Sequence, residues 1–225
     1  MLGGLKGFFA NQGLGPDFAE IAAWARRRGL SFKRERDGHG FVIDGSLDGQ
    51  PWRLEWGPSQ RPYIVGHELR VRADVGLPMD LLMLLMTRPL MQTLERQAYE
   101  EFTRSNQTQL GSTSPEESRW LVLFPKIPLA SWPALRSRFG GVSNVAQAGS
   151  AWLDGPLGRE LERAASTLLE AAPPCLLMTS KGRAYLRLQA PVVDCDLIAA
   201  ALLLFETACT EAIRIGRARS GAAAQ

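Results

Sequence analysis

The stretch FVIDGSLDGQPWRLEW, residues 41–56, decides the fold class of this chain. It holds two runs of β-forming residues, 41–47 and 51–56, on either side of Asp48-Gly49, a dipeptide typical of tight hairpin turns. In the second run tryptophan and leucine alternate with arginine and glutamate, which is the period of a half-buried strand. The stretch therefore predicts an antiparallel hairpin with one apolar face and one polar face.

Neighbouring segments extend this hairpin into a larger sheet. Residues 30–36 form a further β-type run. In residues 63–73, Val65, Leu69 and Val71 alternate with charged side chains. Together the four runs predict an antiparallel meander that is buried on one side.

Helical periodicity marks the segments before and after the meander. Apolar residues repeat at three- and four-residue spacing over 17–28, where Asp17 can cap the helix, and again over 89–104 and 157–171. A long helix that Asp194 or Asp196 caps is predicted to run to about Gly216. The remaining predicted elements are a strand over 119–124, a short helix from 131, a strand over 142–147 and a hairpin over 175–189.

These elements predict an α+β fold, with an antiparallel sheet or sheets and helices packed on one face. Residues 81–86 are apolar on every side and fit either a strand or the start of a helix; we favour a strand. Gly15-Pro16 and Gly155-Pro156 each precede a helix and a hairpin, so two related halves with a binding groove between them are a further hypothesis. In chain order we expect a flexible leader (1–16), a helix-plus-meander half (17–104), a loop (105–118), a second α+β half with the long helix (119–216) and a disordered tail (217–225).

Composition excludes several classes of protein. With 225 residues, 45% of them hydrophobic, the chain can bury a full core, which excludes a disordered protein or a small disulfide scaffold. Cys175, Cys195 and Cys209 form no CxxC pair, which favours a reducing compartment. The longest apolar run, 197–205, is too short for a membrane span, and no secretion signal is recognisable. We therefore expect a cytoplasmic protein without a transmembrane segment.

Sequence motifs for metal, cofactor or covalent chemistry are missing. His39 and His67 are the two histidines, and neither is predicted to share a face with a carboxylate. The chain has no GxSxG elbow, no GxGxxG motif after a strand and no P-loop. Acidic pairs at 100–101 and 116–117 are explained by solvation or by a structural role. The sequence predicts no cofactor, no metal site and no catalytic residue.

Basic residues concentrate in one interval of the chain. The 26 basic and 23 acidic residues leave a net charge of +3, whereas the interval 26–36 alone carries +5. Arginines at the end of the first helix also complement its dipole, which is a sufficient structural reason for them. Converging guanidinium groups bind phosphate or carboxylate, so a binding surface is the alternative. The candidate binding residues, which continue onto the outer face of the meander, are Arg26, Arg27, Lys33, Arg34, Arg36, Arg53, Arg70 and Arg72.

Trp52 and Trp56 leave two interpretations of the sheet open. Exposed tryptophans beside arginines are typical of platforms that bind single-stranded nucleic acid. Both tryptophans share a predicted strand face with Leu54, however, and this favours a position in the core.

Two segments of the meander carry a resemblance to other proteins. Together with the capped helix, DGSLDG at 44–49 and LRVRADVGLP at 69–78 resemble a diffuse group of uncharacterised bacterial proteins. The likeness extends loosely to the second helix and hairpin. It implies a compact α+β bacterial protein of the cytosol, includes no catalytic motif and assigns no functional residue.

Three functions are compatible with these observations. We predict a non-catalytic binding or assembly protein that uses the arginine-bearing sheet face or the groove between the halves, with a protein partner or by self-association. The second candidate is a nucleic acid binding module, and an acidic or phosphate-bearing ligand is a further possibility for the same surface. The third is an enzyme whose site combines arginines and carboxylates scattered along the chain.

Overall fold

A computed structural model describes residues 17–105 and 115–223. Within these ranges the chain forms seven helices and eight strands. In chain order they are α1 (Ala19–Arg27), β1 (Ser31–Arg34), β2 (Phe41–Leu47), β3 (Gln50–Pro58), β4 (His67–Asp74), β5 (Met83–Thr87), α2 (Arg88–Ser105), α3 (Glu116–Leu123), α4 (Pro133–Arg136), β6 (Phe139–Ser143), α5 (Ala146–Leu153), α6 (Pro156–Ala165), β7 (Cys175–Ser180), β8 (Arg183–Gln189) and α7 (Cys195–Ala223).

The eight strands form one sheet in the order β1-β2-β3-β4-β8-β7-β5-β6, and every pairing is antiparallel. The α+β prediction is confirmed. Strand β4 pairs with β8, and β5 lies between β7 and β6, so backbone hydrogen bonds join the two predicted halves. The sheet is therefore continuous at the seam between the predicted halves.

Helices cover both faces of the sheet at one end, rather than the single face expected from the sequence. Strand β5 explains the difference. Met83 and Leu85 pack into the main core with α6 and α7, whereas Leu84 and Met86 pack into a second core with α2 and α3. A strand that is apolar on both sides has to be covered on both sides.

On the α7 side, the main core extends along the whole of the meander. Trp52 and Trp56 are buried there, each about 4% exposed, which confirms the core interpretation of the two tryptophans. Trp56 Nε1 donates to the carbonyl oxygen of Ala190 at 2.8 Å. Trp152 of α5 likewise donates to the carbonyl oxygen of Ala208 on α7 at 2.9 Å. The indole N–H groups of Trp56 and Trp152 therefore have partners inside the core.

Several element boundaries differ from the sequence-based prediction. Residues 119–124 are mostly helical, because Glu117, Trp120 and Leu121 are buried at helical spacing. Strand β6 ends at Ser143, whose hydroxyl oxygen accepts from the Val145 amide at 3.1 Å and turns the chain into α5. Residues 83–86 of the apolar run 81–86 do form a strand, as favoured, whereas residues 81 and 82 precede it. Helix α7 continues through residue 223 instead of ending near 216, so the predicted disordered tail is helical as far as it is described.

The predicted leader, 1–16, and most of the predicted loop, 106–114, lie outside the described residues. In the part of the chain that the structure describes, no helix is both long and apolar enough to cross a membrane.

Candidate anion-binding site on the open sheet face

The side of β2, β3, β4 and β8 that faces away from α7 is the open face. Strand register aligns its side chains in two rows across the strands. One row contains Asp44, Arg53, Arg72 and Tyr185, and the other contains Val42, Glu55, Arg70 and Arg187. The period-2 pattern of the sequence therefore becomes a polar surface on which arginines from three strands are neighbours.

Arg70 and Arg187 are the inner arginines of the open face. They lie directly opposite each other on β4 and β8, an arrangement of like charges that costs stability on its own. The fully buried Glu68 compensates them, since its Oε1 accepts from Arg70 Nη1 at 3.0 Å and from Arg187 Nη1 at 2.8 Å. Their side chains are only 12% and 14% exposed. These two arginines therefore have a structural role, because both are paired with the buried Glu68.

A second buried carboxylate connects the neighbouring loop to α3. Glu117 is fully buried, and its Oε1 accepts from the Tyr63 hydroxyl at 3.0 Å and from Arg61 Nε at 3.2 Å. Burial, reinforced by the negative charge of Glu117, raises the pKa of Tyr63 above its ordinary value. The loop between β3 and β4 is thus fastened to α3 by a polar contact at the edge of the second core.

Arg53, Arg72 and Arg183 are the outer arginines of the open face. Arg53 Nε donates to Asp44 Oδ1 at 2.7 Å, and this hydrogen bond raises the pKa of Arg53. The other two pair loosely, Arg72 with Glu55 at 3.9 Å and Arg183 with Asp74 at 3.8 Å. Their side chains are 55% and 54% exposed. Both distances exceed hydrogen-bond length, so most guanidinium donors of these two residues remain available.

The outer arginines line one concavity, which we call the arginine groove. Its volume is about 370 Å³, and Asp44 and Asp74 lie along it beside the three arginines. Arg53 and Arg72 face each other across β3 and β4, while Arg183 is diagonal to Arg72 on β8. Guanidinium groups in this arrangement can hold a carboxylate or a phosphate oxygen by charge-assisted hydrogen bonds.

The structure divides the basic cluster that the sequence predicted. Strand register places Lys33 on the open face beside Val42. Arg26 and Arg27 are exposed on α1, the helix whose apolar side packs into the main core on the opposite face. Arg34 lies over the Phe18 ring on that same side, 5.4 Å from its centroid. Arg36 is exposed in the turn between β1 and β2.

Sequence reasoning missed Arg183 and Arg187. The signal was present, because both residues belong to the polar positions of an alternating strand. Connecting them with Arg70 and Arg72 requires the knowledge that β8 pairs with β4, two strands that lie more than a hundred residues apart in the chain.

The histidines and cysteines of the described ranges form no metal-binding cluster. His67 stacks on Trp56 with ring centroids 4.6 Å apart. All three cysteines are free, and burial raises the pKa of Cys175 to about 12. Among the described residues, no group of three or more histidine, cysteine or acidic side chains is placed to hold a metal ion.

Comparisons with known proteins assign no family to this chain. No protein-family model and no curated protein matches the sequence. Among solved structures, the chain is similar to the mycobacterial trehalose monomycolate transport factor A, TtfA, with 9% sequence identity and a TM-score of 0.48. The alignment covers 87% of this chain and 93% of that chain. Similarity at this level carries no argument about function.

Proposed function

We propose that this chain is a non-catalytic binding protein whose arginine groove holds an acidic segment of a protein partner. The observation that carries the proposal is the loose pairing of Arg72 and Arg183. Each guanidinium is more than half exposed and lies beyond hydrogen-bond distance of its nearest carboxylate. A carboxylate from a partner would gain charge-assisted hydrogen bonds at little cost, because no strong internal ion pair has to be broken.

Arg53 supports the groove from one side. Its bond to Asp44 fixes the guanidinium in place, so that its remaining N–H donors face a ligand from a defined position. Glu68 fixes Arg70 and Arg187 beneath the surface in the same way. Immobilised neighbours reduce the entropy that is lost on binding, which favours a preformed recognition site.

The mixed charge of the open face favours a protein partner over nucleic acid. Six basic side chains lie among four acidic ones, an excess of only two positive charges. A phosphate backbone would meet repulsion from the carboxylates, whereas a protein surface can alternate its own charges to match. Trp52 and Trp56 are buried on the other face, so they cannot provide the aromatic platform on which the bases of a single strand would stack.

The proposal is tested with a fluorescein-labelled peptide of about ten glutamates as the probe, in fluorescence anisotropy at low salt. We expect binding to the unmodified protein, and an R72A/R183A double variant should bind at least about tenfold more weakly, equivalent to ~1.4 kcal/mol. The matched control is R26A/R27A, which removes two exposed arginines from α1 on the opposite face. This control should bind the peptide as the unmodified protein does.

Three results would contradict the proposal. One is the absence of binding to the peptide, and a second is an equal loss in both double variants, which would indicate attraction by net charge alone. The third is tighter binding to an oligothymidylate of about twenty nucleotides, with affinity that falls steeply between about 50 and 200 mM salt. That result would favour the nucleic acid binding module instead.

A further inference from the structure

A second and larger concavity lies at the same end of the strands, beside the C-terminal half of α7. We call it the α7 cleft. Its walls are the turn between β2 and β3, the segment that follows β4, and residues 210–217 of α7. The volume is about 800 Å³, which is within the range of about 300–1,000 Å³ that is typical of clefts for small ligands.

The floor of the α7 cleft is apolar and held in place. Val75 and Leu77 are buried, and Ile213 of α7 adjoins them. The amides of Val75 and Leu77 both point at the carbonyl oxygen of Gly182, at 3.1 and 3.4 Å. Gly216 allows α7 to approach closely, because a Cβ at this position would lie 3.0 Å from Leu77 Cδ2. The floor is therefore formed before any ligand arrives.

Charges on the walls differ in how they are paired. Arg214 is neutralised by Glu211, with Nη2 and Oε2 2.9 Å apart, and also donates to the carbonyl oxygen of Ala151. Arg217 on α7 and Asp48 on the β2–β3 turn are exposed. Neither forms an ion pair with any residue in the described ranges. The cleft thus presents one available cation and one available anion, on walls contributed by different elements.

We propose that the α7 cleft binds a zwitterion with an apolar body, namely a short apolar peptide with free termini. The peptide carboxylate would pair with Arg217 and its ammonium group with Asp48, while its side chains cover Val75, Leu77 and Ile213. An extended tripeptide is about 10 Å long, which suits a cleft of this size. Opposite charges at the two ends of the peptide select its orientation, and the floor selects apolar side chains.

Isothermal titration calorimetry with trileucine tests the proposal. The unmodified protein should bind trileucine with free termini, and both the C-terminal amide and the N-acetylated form should bind about tenfold more weakly. R217Q should remove the preference for the free carboxylate while keeping that for the free amine. D48N should do the reverse. The matched control is R159Q, an exposed arginine on α6, and this variant should bind as the unmodified protein does.

Each contrary result overturns the proposal. Failure of trileucine to bind at millimolar concentration excludes such a peptide. Equal binding of the free, amidated and acetylated forms excludes recognition of the termini. An identical loss of affinity in R217Q and R159Q would show that Arg217 acts only through the net charge of the protein. Both charge substitutions are on exposed side chains, so thermal unfolding of the variants should match that of the unmodified protein.

Discussion

Glu68 holds together two arginines that would otherwise repel each other. Its buried carboxylate lies between Arg70 and Arg187, and its Oε1 accepts from both of them. The backbone N–H of Gln60 also donates to this oxygen, at 3.0 Å. In the sequence, Glu68, Arg70 and Arg72 are simply the charged positions of an alternating strand. Only burial separates them. Glu68 and Arg70 are buried within the sheet, whereas the Arg72 side chain is 55% exposed.

Tyr63 makes the stability of the protein fall at high pH. Its folded-state pKa is raised above the ordinary value of 10.0, first by burial and then by the charge of Glu117. The stability that the neutral phenol contributes is therefore complete below pH 10.0 and is lost as the pH rises toward the folded-state pKa. We expect the free energy of unfolding in urea to fall as the pH rises above 10.0, and Y63F should make this fall smaller.

Tyr99 supplies the control for that measurement. It is 70% exposed, so Y99F should retain the pH dependence of the unmodified protein. A Y63F variant whose stability falls with pH as steeply as that of Y99F would contradict the role given to Tyr63. At neutral pH, Y63F should cost about 1–2 kcal/mol, because it removes a hydrogen bond to a buried carboxylate.

The edge strand β6 depends on a backbone approach that only glycine permits. A Cβ at Gly141 would lie 2.3 Å from the carbonyl oxygen of Leu84 on the paired strand β5. No side-chain movement can relieve a contact with backbone, so G141A has to displace the strand. We expect a loss of about 2 kcal/mol in the free energy of unfolding, measured by chemical denaturation.

Gly221 is the matched position for that substitution. It belongs to α7, and a Cβ there would meet no atom within 4 Å. G221A should therefore be neutral or stabilising by up to ~1 kcal/mol, as expected for a helical glycine. Equal stability of G141A and G221A would show that β6 can shift without cost.

Errors of the sequence-based prediction concentrate in short elements. Residues 119–124 resemble a strand because they are apolar and brief, and periodicity cannot separate the two possibilities over so few residues. Helix α3 forms because Trp120 and Leu121 fill the second core against α2. Longer elements such as the β2–β3 hairpin carried enough repeats of their period to be identified correctly.

For the whole molecule, the continuous sheet predicts cooperative unfolding. Strands β4 and β8 join the two predicted halves through seven paired positions, and β5 belongs to the first half in sequence but to the second in the sheet. We expect one transition in urea, with coincident midpoints by circular dichroism and tryptophan fluorescence. Two separated transitions would contradict this prediction and would support halves that fold independently.

Sequence alone determined the α+β class and the apolar and polar faces of the meander, and it favoured the burial of Trp52 and Trp56. Each of these follows from local periodicity, which a few adjacent residues display. Only the tertiary structure decided that β4 pairs with β8, that helices cover both faces of β5, and that Arg183 joins Arg53 and Arg72 in one groove. The physical reason is that strand pairing over long sequence separation depends on how the whole chain buries its apolar surface, and no local pattern records the partner of a strand.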